Sequence, residues 1–322
     1  MKDITINIGA IGYELGEHPV ALEDNVRLTN ERKSQLFLRT MGFAEYQRTD
    51  RTLGELSECA IKKTLSKANI PAEKVDIVVY ASSTFGDRHG DVIDKDVAQC
   101  LINCGLQDVY PIGVYLSQCN NFFAALDIAV QYLKNEVGKT ALLVFADRVL
   151  DEATRFKNLA INSDAAVACI VSSDTEIELE FEVSGISKKT KLTTDDLIDP
   201  HSNSMNLEVH ENYLAGIRHV FDTALSQSRL YAQNLKQIIC HNFSYSALRQ
   251  IANAISVNEN IFYKNNIPKF GHAYTCDSLI NLDSYHQERT DPIASPEHIA
   301  VIGTGLYFWG MVVLTVRQKE AP

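Results

Sequence analysis

The stretch that decides the fold is "GVYLSQCNNFFAALDIAVQYL", residues 113–133. An apolar, β-prone run stops at Gln118, Cys119 follows, and a helical pattern of apolar residues begins at once. A strand that passes directly into a helix is the unit from which α/β proteins are built. The stretch therefore predicts an α/β fold and places a thiol at the join between a strand and a helix.

The same alternation continues on both sides of this stretch. Four short runs rich in Val and Ile have the pattern of strands buried on both faces: 75–82, 110–117, 140–147 and 164–173. Helical patterns lie between them, one over 53–68 and another over 121–135. Strands that alternate with helices predict a mostly parallel sheet.

The second half of the chain repeats the theme of the first. Residues 219–244 resemble residues 60–83, with Leu225 matching Leu65 at an offset of 160 residues. We therefore expect two related halves, 1–173 with the candidate nucleophile and 174–322 with the candidate His and Asp residues. A polar, charged stretch over 188–204 is predicted to be a surface loop.

Composition excludes several classes of protein. With 322 residues, 45% of them hydrophobic and 22% charged, the chain reads as an ordinary globular protein with a sizeable core. Its net charge of −11 argues against general affinity for nucleic acids or anionic membranes. No run approaches the ~18 apolar residues of a membrane helix, and the N-terminus lacks a signal core.

The seven cysteines are an odd number and are scattered, which favours reduced thiols in a cytoplasmic protein. Cys100 and Cys104 are spaced to share a helix face, but no second Cys/His pair lies nearby. Buried core thiols are the favoured interpretation, and we expect no metal site.

Cys119 is the candidate nucleophile. A helix N-terminus offers unpaired backbone N–H groups and a positive dipole end, and both favour a thiolate. The same N–H groups would stabilise the oxyanion of an attacked thioester. The alternative is a small buried residue that happens to fall at a turn.

A catalytic cysteine needs a base, and two histidines are suitably placed. His241 follows a predicted strand and precedes a helix, so it lies at a strand's carboxyl end, where open α/β sheets place their sites. His272 is followed five residues later by Asp277, a spacing suited to the base and orienter of a Cys-His-Asp triad. Gly303 and Gly305 let the backbone approach a ligand closely, and an N–H there is a candidate second oxyanion donor. They are not a dinucleotide fingerprint, because a strand follows them.

Ordered along the chain, these segments resemble the thiolase superfamily, and most closely the 3-oxoacyl-acyl-carrier-protein synthase III family. "RTMGFAEYQR" (39–48) resembles the family's "RTGI-x-ER", and "INSDAAVACIVSS" (161–173) resembles "FGDGAGAVVL". "CHNFSYSALRQIA" (240–252) resembles the "HQAN" segment, "FGHAYTCD" (270–277) the "GNTSAAS" segment, and "GTGL" (303–306) the C-terminal glycine-rich turn. The resemblance covers nearly the whole chain.

The resemblance implies a five-layered αβαβα fold of two similar halves, assembled as a homodimer. The cysteine would lie at the end of a pantetheine tunnel and take an acyl group from coenzyme A or an acyl carrier protein. No permanently bound cofactor is implied. In the family's condensing enzymes, His and Asn then help to decarboxylate a malonyl unit, and a carbon–carbon bond forms.

The chain departs from this pattern where the family has its Asn, because His272 stands there. An imidazole does not reproduce the donor geometry of a carboxamide. The resulting "GH-x4-D" resembles a branch of synthase-III-like acyltransferases of secondary metabolism that pass the acyl group to a hydroxyl or amine. The resemblance then makes Cys119 the nucleophile, His272 the base, Asp277 its orienter and His241 an auxiliary donor.

Two further departures concern the substrate. The aromatic residue that often stacks on the coenzyme A adenine is replaced by Gln35 or a neighbour, which favours a carrier-protein donor. Because carrier proteins are acidic, a basic rim is expected, and its candidates are Arg39, Arg218, Lys236 and Arg249. Each is equally well explained as a solvated surface charge. "SQCNNF" is bulkier than the family's "AACSGF", which affects the size of the acyl pocket.

Three functions remain open on the sequence. The first is acyl transfer by Cys119, His272 and Asp277 to a hydroxyl or amine. The second is a carbon–carbon condensing ketosynthase that uses Cys119, His241 and His272. The third is a non-catalytic partner subunit of a heteromeric synthase.

Overall fold

Eleven strands and eight helices occur in the described parts of the computed structural model, residues 4–25, 32–84, 91–135, 137–156, 160–195, 206–290 and 296–317. The strands are β1 Asn7–Leu15, β2 His18–Ala21, β3 Glu45–Arg48, β4 Ile77–Ala81, β5 Tyr110–Val114, β6 Thr140–Asp147, β7 Ala165–Ser172, β8 Phe181–Thr190, β9 Leu235–Cys240, β10 Glu297–Thr304 and β11 Phe308–Val316. The helices are α1 Arg32–Thr40, α2 Leu53–Ala68, α3 Asp91–Asn103, α4 Asn121–Lys134, α5 Leu207–Gln227, α6 Tyr245–Ala254, α7 Ile267–Phe270 and α8 Cys276–Gln287.

Nine of these strands form one mixed sheet in the order β5-β4-β6-β7-β1-β8-β11-β10-β9, and β2 pairs with β3 separately. Strand β4 runs parallel to β5 and β6, and β9 runs parallel to β10, but every other pair in the sheet is antiparallel. The prediction of a mostly parallel sheet is therefore wrong for the centre. The turn from β10 to β11 is too short for the crossover that a parallel pair needs, so that pair must be antiparallel.

Strand order repeats within the sheet. The series β5-β4-β6-β7-β1 has the same connectivity as β9-β10-β11-β8, and an isolated parallel bridge between Ile238 and Phe262 stands where the second series lacks a strand. Among the described residues, the ladder between the two series comprises two residue pairs, Asn7 with Glu182 and Ile8 with Phe181. This repetition is what two related halves produce, while the boundary at Ser173 stays a prediction.

Three buried clusters define the layers. Helices α2 and α3 pack on one face of the first series, and α5 and α6 pack on one face of the second. Helices α4 and α8 lie between the two series and contact strands of both. Alternate residues of one strand serve different clusters: Leu143 of β6 faces the central helices and Leu142 faces α2. The five-layered αβαβα fold is confirmed.

Most predicted elements form where the sequence places them, but two differ. The run 110–117 ends as strand β5 at Val114, and β5 is an edge strand with Tyr110 75% exposed, not a strand buried on both faces. Of the predicted loop 188–204, the first three residues belong to β8, and residues 196–205 lie outside the described part of the chain.

Candidate active site

Cys119 lies in a tight turn that joins β5 to α4. The turn is a short 3-10 helix, Gln118–Asn120, and α4 begins directly after it at Asn121. Gln118 has a φ of 51°, in the left-handed region that bulky residues rarely adopt. The predicted join between strand and helix is thus a strained turn, with the half-buried thiol one residue before the helix proper.

The structure brings Cys119, His272 and Asp277 into one chain of contacts. The Cys119 Sγ lies 3.4 Å from His272 Nε2. The other ring nitrogen of His272, Nδ1, lies 2.5 Å from Asp277 Oδ2. Because Nδ1 faces a carboxylate, it carries the proton, and Nε2 is the nitrogen left to exchange a proton with the thiol.

Asp277 is held by the first turn of α8 and is fully buried. Besides His272, its carboxylate accepts hydrogen bonds from the backbone N–H groups of Ala273, at 2.7 Å, and Asn242, at 2.8 Å. The side chain of Asn281 in turn donates to the Cys240 carbonyl and to Asn242 Oδ1. The His272 ring and the N–H groups of Ala273 and Asn242 replace the water that burial takes from the Asp277 carboxylate, as a buried carboxylate requires.

His272 is buried, and its environment favours the charged ring. Burial alone opposes the imidazolium, but the charges of Asp277 and Cys119 and the hydrogen bonds to both outweigh it and raise the pKa of His272 to about 10. His272 is therefore held in its charged form, with its Nε2 3.4 Å from the Cys119 sulfur.

His241 follows the end of β9 and has the opposite character. Burial, and the charge of His272 with a ring centroid 5.8 Å away, lower the pKa of His241 to about 4. The nearby backbone of Cys119 offsets part of this fall in the pKa of His241. Neither ring nitrogen of His241, however, has a partner at hydrogen-bond geometry among the described residues. His241 is thus a buried neutral ring close to Cys119 and His272.

The two glycines of the C-terminal turn serve packing. A Cβ on Gly303 would lie 2.4 Å from Asn120 Oδ1 and 3.1 Å from His241 Cε1, so only glycine fits at the end of β10. The Gly305 N–H donates to the Phe308 carbonyl at 2.9 Å. The Gly305 N–H, a candidate second oxyanion donor, is therefore hydrogen-bonded within the turn between β10 and β11.

Sequence reasoning missed a buried carboxyl group near the site, Asp147. Its Oδ1 accepts from the Ser83 N–H at 2.6 Å and from the Ser82 hydroxyl at 3.0 Å, while Oδ2 has no partner among the described residues. Burial raises the pKa of Asp147 to about 7, although these hydrogen bonds and the charge of His272 lower it. The signal was available, since an aspartate ends the predicted strand 140–147.

The four candidate basic residues lie on four different elements, α1, α5, β9 and α6. Arg39 ends α1 and pairs with Glu23, and Arg249 on α6 pairs with Glu259 at 2.8 Å. Arg218 is exposed on α5. Lys236 lies near the start of β9, at the opposite end of the strand from His241, and lines a separate polar cavity of about 460 Å³.

A cluster of possible metal ligands contains none of the candidate site residues. Among the described residues, the side chains close enough to share an ion are Glu17, His18 and Asp50, all exposed, and Glu17 already accepts from Arg51. Cys100 on α3 and Cys104, which directly follows α3, are buried thiols. No described helix is both long enough and apolar enough to span a bilayer.

Comparison with curated proteins gives similarity to one kind of enzyme. No protein-family profile matches the chain. β-Ketoacyl-[acyl-carrier-protein] synthase III from Xanthomonas euvesicatoria is 27% identical over 186 residues, which cover 54% of this chain and 53% of that protein. The match thus spans about half the length of such relatives. Synthase III from Trichodesmium erythraeum is 22% identical over 97% of this chain and 99% of its own.

Solved structures share the fold. Synthase III from Aquifex aeolicus superposes with a TM-score of 0.77 at 18% identity, over 96% of this chain and 99% of that one. ChlB3, described as an acyltransferase, has a TM-score of 0.77 at 17% identity over 98% of both chains. OleA from Xanthomonas campestris with bound lauric acid and lauroyl-CoA gives 0.77 at 14% identity, over 97% and 99%. The resemblance to synthase III and the thiolase fold is confirmed.

Proposed function

We propose that this synthase-III-like protein of the thiolase superfamily is a thioester-dependent acyltransferase. Cys119 accepts an acyl group, and His272, oriented by Asp277, serves its transfer to a hydroxyl or amine. The observation that carries the proposal is the unbroken contact from Cys119 Sγ through both nitrogens of His272 to the Asp277 carboxylate.

In the loading step, the Cys119 thiolate attacks the carbonyl carbon of a pantetheine thioester. The carbon–sulfur bond to pantetheine then breaks, and the leaving sulfur takes the proton from His272 Nε2. The products are an acyl-Cys119 thioester, a free pantetheine thiol and a neutral His272, so charge and protons balance.

In the transfer step, neutral His272 removes the proton of the acceptor hydroxyl or amine as that group attacks the acyl-Cys119 carbonyl. The charge of Cys119 is one of the causes that raise the pKa of His272. Acylation removes that charge, so the pKa of His272 falls when a base is needed. Collapse of the intermediate returns the Cys119 thiolate beside the imidazolium.

The developing oxyanion needs donors in both steps. We assign one to the backbone N–H of Cys119, at the start of a helical segment that precedes α4. We assign the other to His241, whose neutral ring has an unpartnered N–H and is fully buried. Burial strengthens this hydrogen bond because water does not compete.

The donor and the assembly are also proposals. An acyl carrier protein is the proposed donor, docked near the junction of α1 and α6, which carry Arg39 and Arg249.

A homodimer would cover edge strand β5, whose unpaired backbone and exposed Tyr110 resemble a docking edge. A solution mass of one chain, 35.9 kDa, would contradict the dimer. The seven free thiols suit a cytoplasmic enzyme.

Carbon–carbon condensation is the second candidate, favoured by the pair of histidines. His241 and His272 lie with ring centroids 5.8 Å apart, close enough to act on the same substrate carbonyl. Neutral His241 would donate a hydrogen bond to the carbonyl oxygen, and charged His272 would bind the carboxylate of the donor.

The test is intact-mass measurement of the protein after exposure to a set of acyl carrier protein and coenzyme A thioesters. Wild type should gain one acyl group, and Cys119→Ala should gain none. Cys59→Ala is the matched control, because Cys59 is the other thiol that is not buried. Loaded enzyme is then mixed with hydroxyl and amine acceptors or with a malonyl donor. A β-keto product with release of CO₂ would establish condensation instead, and transfer by Cys119→Ala at the wild-type rate would overturn both candidates.

A further inference from the structure

A single side-chain hydrogen bond ties the loop of His272 to the turn of Cys119. The hydroxyl of Thr275 donates to the backbone carbonyl of Gln118 at 3.1 Å. Thr275 is fully buried and directly precedes α8. Thr275 takes no part in the proposed triad, although it lies between His272 and Asp277 in the sequence.

Both segments joined by this bond contain a bulky residue in the left-handed region. Gln118 has a φ of 51° and Tyr274 a φ of 52°. Such conformations persist only where the surroundings hold them in place. The Gln118 carbonyl accepts the Thr275 hydroxyl and also the Asn121 N–H, so its two lone pairs are both directed.

The orientation of this carbonyl determines where the nucleophile points. The peptide that carries it links Gln118 to Cys119, so a rotation of that peptide moves Sγ. The contact at stake is the 3.4 Å between Cys119 Sγ and His272 Nε2. A change of about 1 Å in such a pair is enough to lose most of its catalytic effect.

We propose that Thr275 is a positioning residue: its hydroxyl holds the strained Gln118 peptide so that the Cys119 thiolate stays paired with His272. This inference rests on the proposed function, since it concerns the same pair. It adds a group that touches neither substrate nor the reacting atoms and acts through the backbone of the nucleophile.

The test is the pH dependence of Cys119 alkylation by iodoacetamide in Thr275→Val and Thr275→Ser. Valine keeps the shape and removes the donor, while serine keeps the donor. Loss of one hydrogen bond of this kind predicts alkylation on the order of tenfold slower at about pH 6 for Thr275→Val, with reactivity recovered only at higher pH. Thr275→Ser should keep the wild-type profile.

A double variant separates positioning from mere loss of stability. In Gln118→Gly, glycine adopts the positive φ without strain, so the extra effect of Thr275→Val should shrink to about twofold. A full tenfold effect in that background, or a wild-type profile for Thr275→Val, would overturn the role of Thr275. If wild type itself shows no reactivity at about pH 6, the proposed thiolate pair fails instead, whatever Thr275 does. Should Thr275→Val not fold, Thr275→Ala replaces it in both backgrounds, with the same expected profiles and the same contradicting results.

Discussion

Removing the charge of Asp277 tests the centre of the proposed mechanism. In Asp277→Asn, the side chain keeps its size, but it no longer offers a negative charge to His272 Nδ1 across the 2.5 Å contact. Burial lowers the pKa of His272, and without the negative charge of Asp277 less remains to offset that effect. We expect the proton to return from His272 to Cys119, leaving a neutral thiol beside a neutral ring.

The two histidines of the site give the magnitude. His272 and His241 are both buried, yet the pKa of one is about 10 and that of the other about 4. The contacts of His272 with Asp277 and Cys119 distinguish its surroundings from those of His241, and the charge of Asp277 is the larger of the two favourable charges. Without it, we expect the pKa of His272 to fall below 7, a loss of at least three units, or roughly 4 kcal/mol for the ion pair. Alkylation of Cys119 at about pH 7 should then slow by about 30-fold, because an ordinary thiol is only about 3% thiolate at that pH.

The assay is competitive alkylation followed by peptide mass spectrometry. Five of the seven cysteines are buried, which leaves Cys119 and Cys59 as half-buried thiols. Cys59 therefore serves as a reference inside the same molecule. Asp283→Asn is the control variant, because Asp283 lies on the same helix, α8, and pairs with Lys67 at the surface instead.

The outcome is decided by the ratio of the two alkylation rates. Asp283→Asn should leave it unchanged and Asp277→Asn should lower it, while far-ultraviolet circular dichroism confirms that both are folded. Equal ratios in Asp277→Asn and wild type would refute the reasoning, because the charge of Asp277 would then have no part in holding the thiolate.

Two further predictions concern buried groups beside the triad. Folding raises the pKa of Asp147 to about 7, so the folded protein binds more protons than the unfolded chain between about pH 4 and pH 7. The free energy of unfolding should therefore fall as pH rises through that range. Asp147→Asn should remove that slope of about 1.4 kcal/mol per pH unit, and urea unfolding at about pH 5 and pH 7 measures it; parallel curves for variant and wild type would contradict it. Gly303→Ala places a Cβ 2.4 Å from Asn120 Oδ1, so it should lose about 2–3 kcal/mol and slow acyl loading. Gly305→Ala, whose Cβ would lie no closer than 3.1 Å to its neighbours, should be milder in both measurements, and the reverse order would show that packing at β10 does not hold the nucleophile turn.

Local pattern was enough for much of the fold. The helix predicted over 53–68 and the strand predicted over 140–147 form at those residues, because periodicity and length suffice where a segment lies wholly within one layer. Strand direction was not predictable in the same way. Strands β7 and β11 carry the same apolar pattern as β6 and β10, with which they pair antiparallel. A short turn forces that direction for β11, but residues 148–164 separate β6 from β7, so connection length does not fix the direction of β7.

The site was predictable to the level of residue type and not of geometry. The sequence indicated Cys119 because it stands at a strand–helix join, and His272 with Asp277 because of their spacing of five residues. It did not reveal that Gln118 adopts a positive φ, because glutamine has no preference for that region. Nor did it show that the Gly305 N–H is engaged, since that depends on the course of the turn between β10 and β11. The same limit applies to the basic residues, whose separation along the fold no local pattern encodes.

The contrast between His241 and His272 bears on which reaction follows loading. Burial alone favours the neutral ring of both histidines. Asp277 sets them apart, because it contacts His272 and does not contact His241. In the proposed mechanism, a neutral His241 keeps an N–H for the thioester carbonyl throughout the cycle, while His272 alternates between imidazolium and base. Acyl transfer to an O–H or N–H group requires that alternation, whereas a carboxamide in the place of His272 would have no proton to exchange. The orienting carboxylate five residues after His272 is therefore the feature that most favours transfer over condensation.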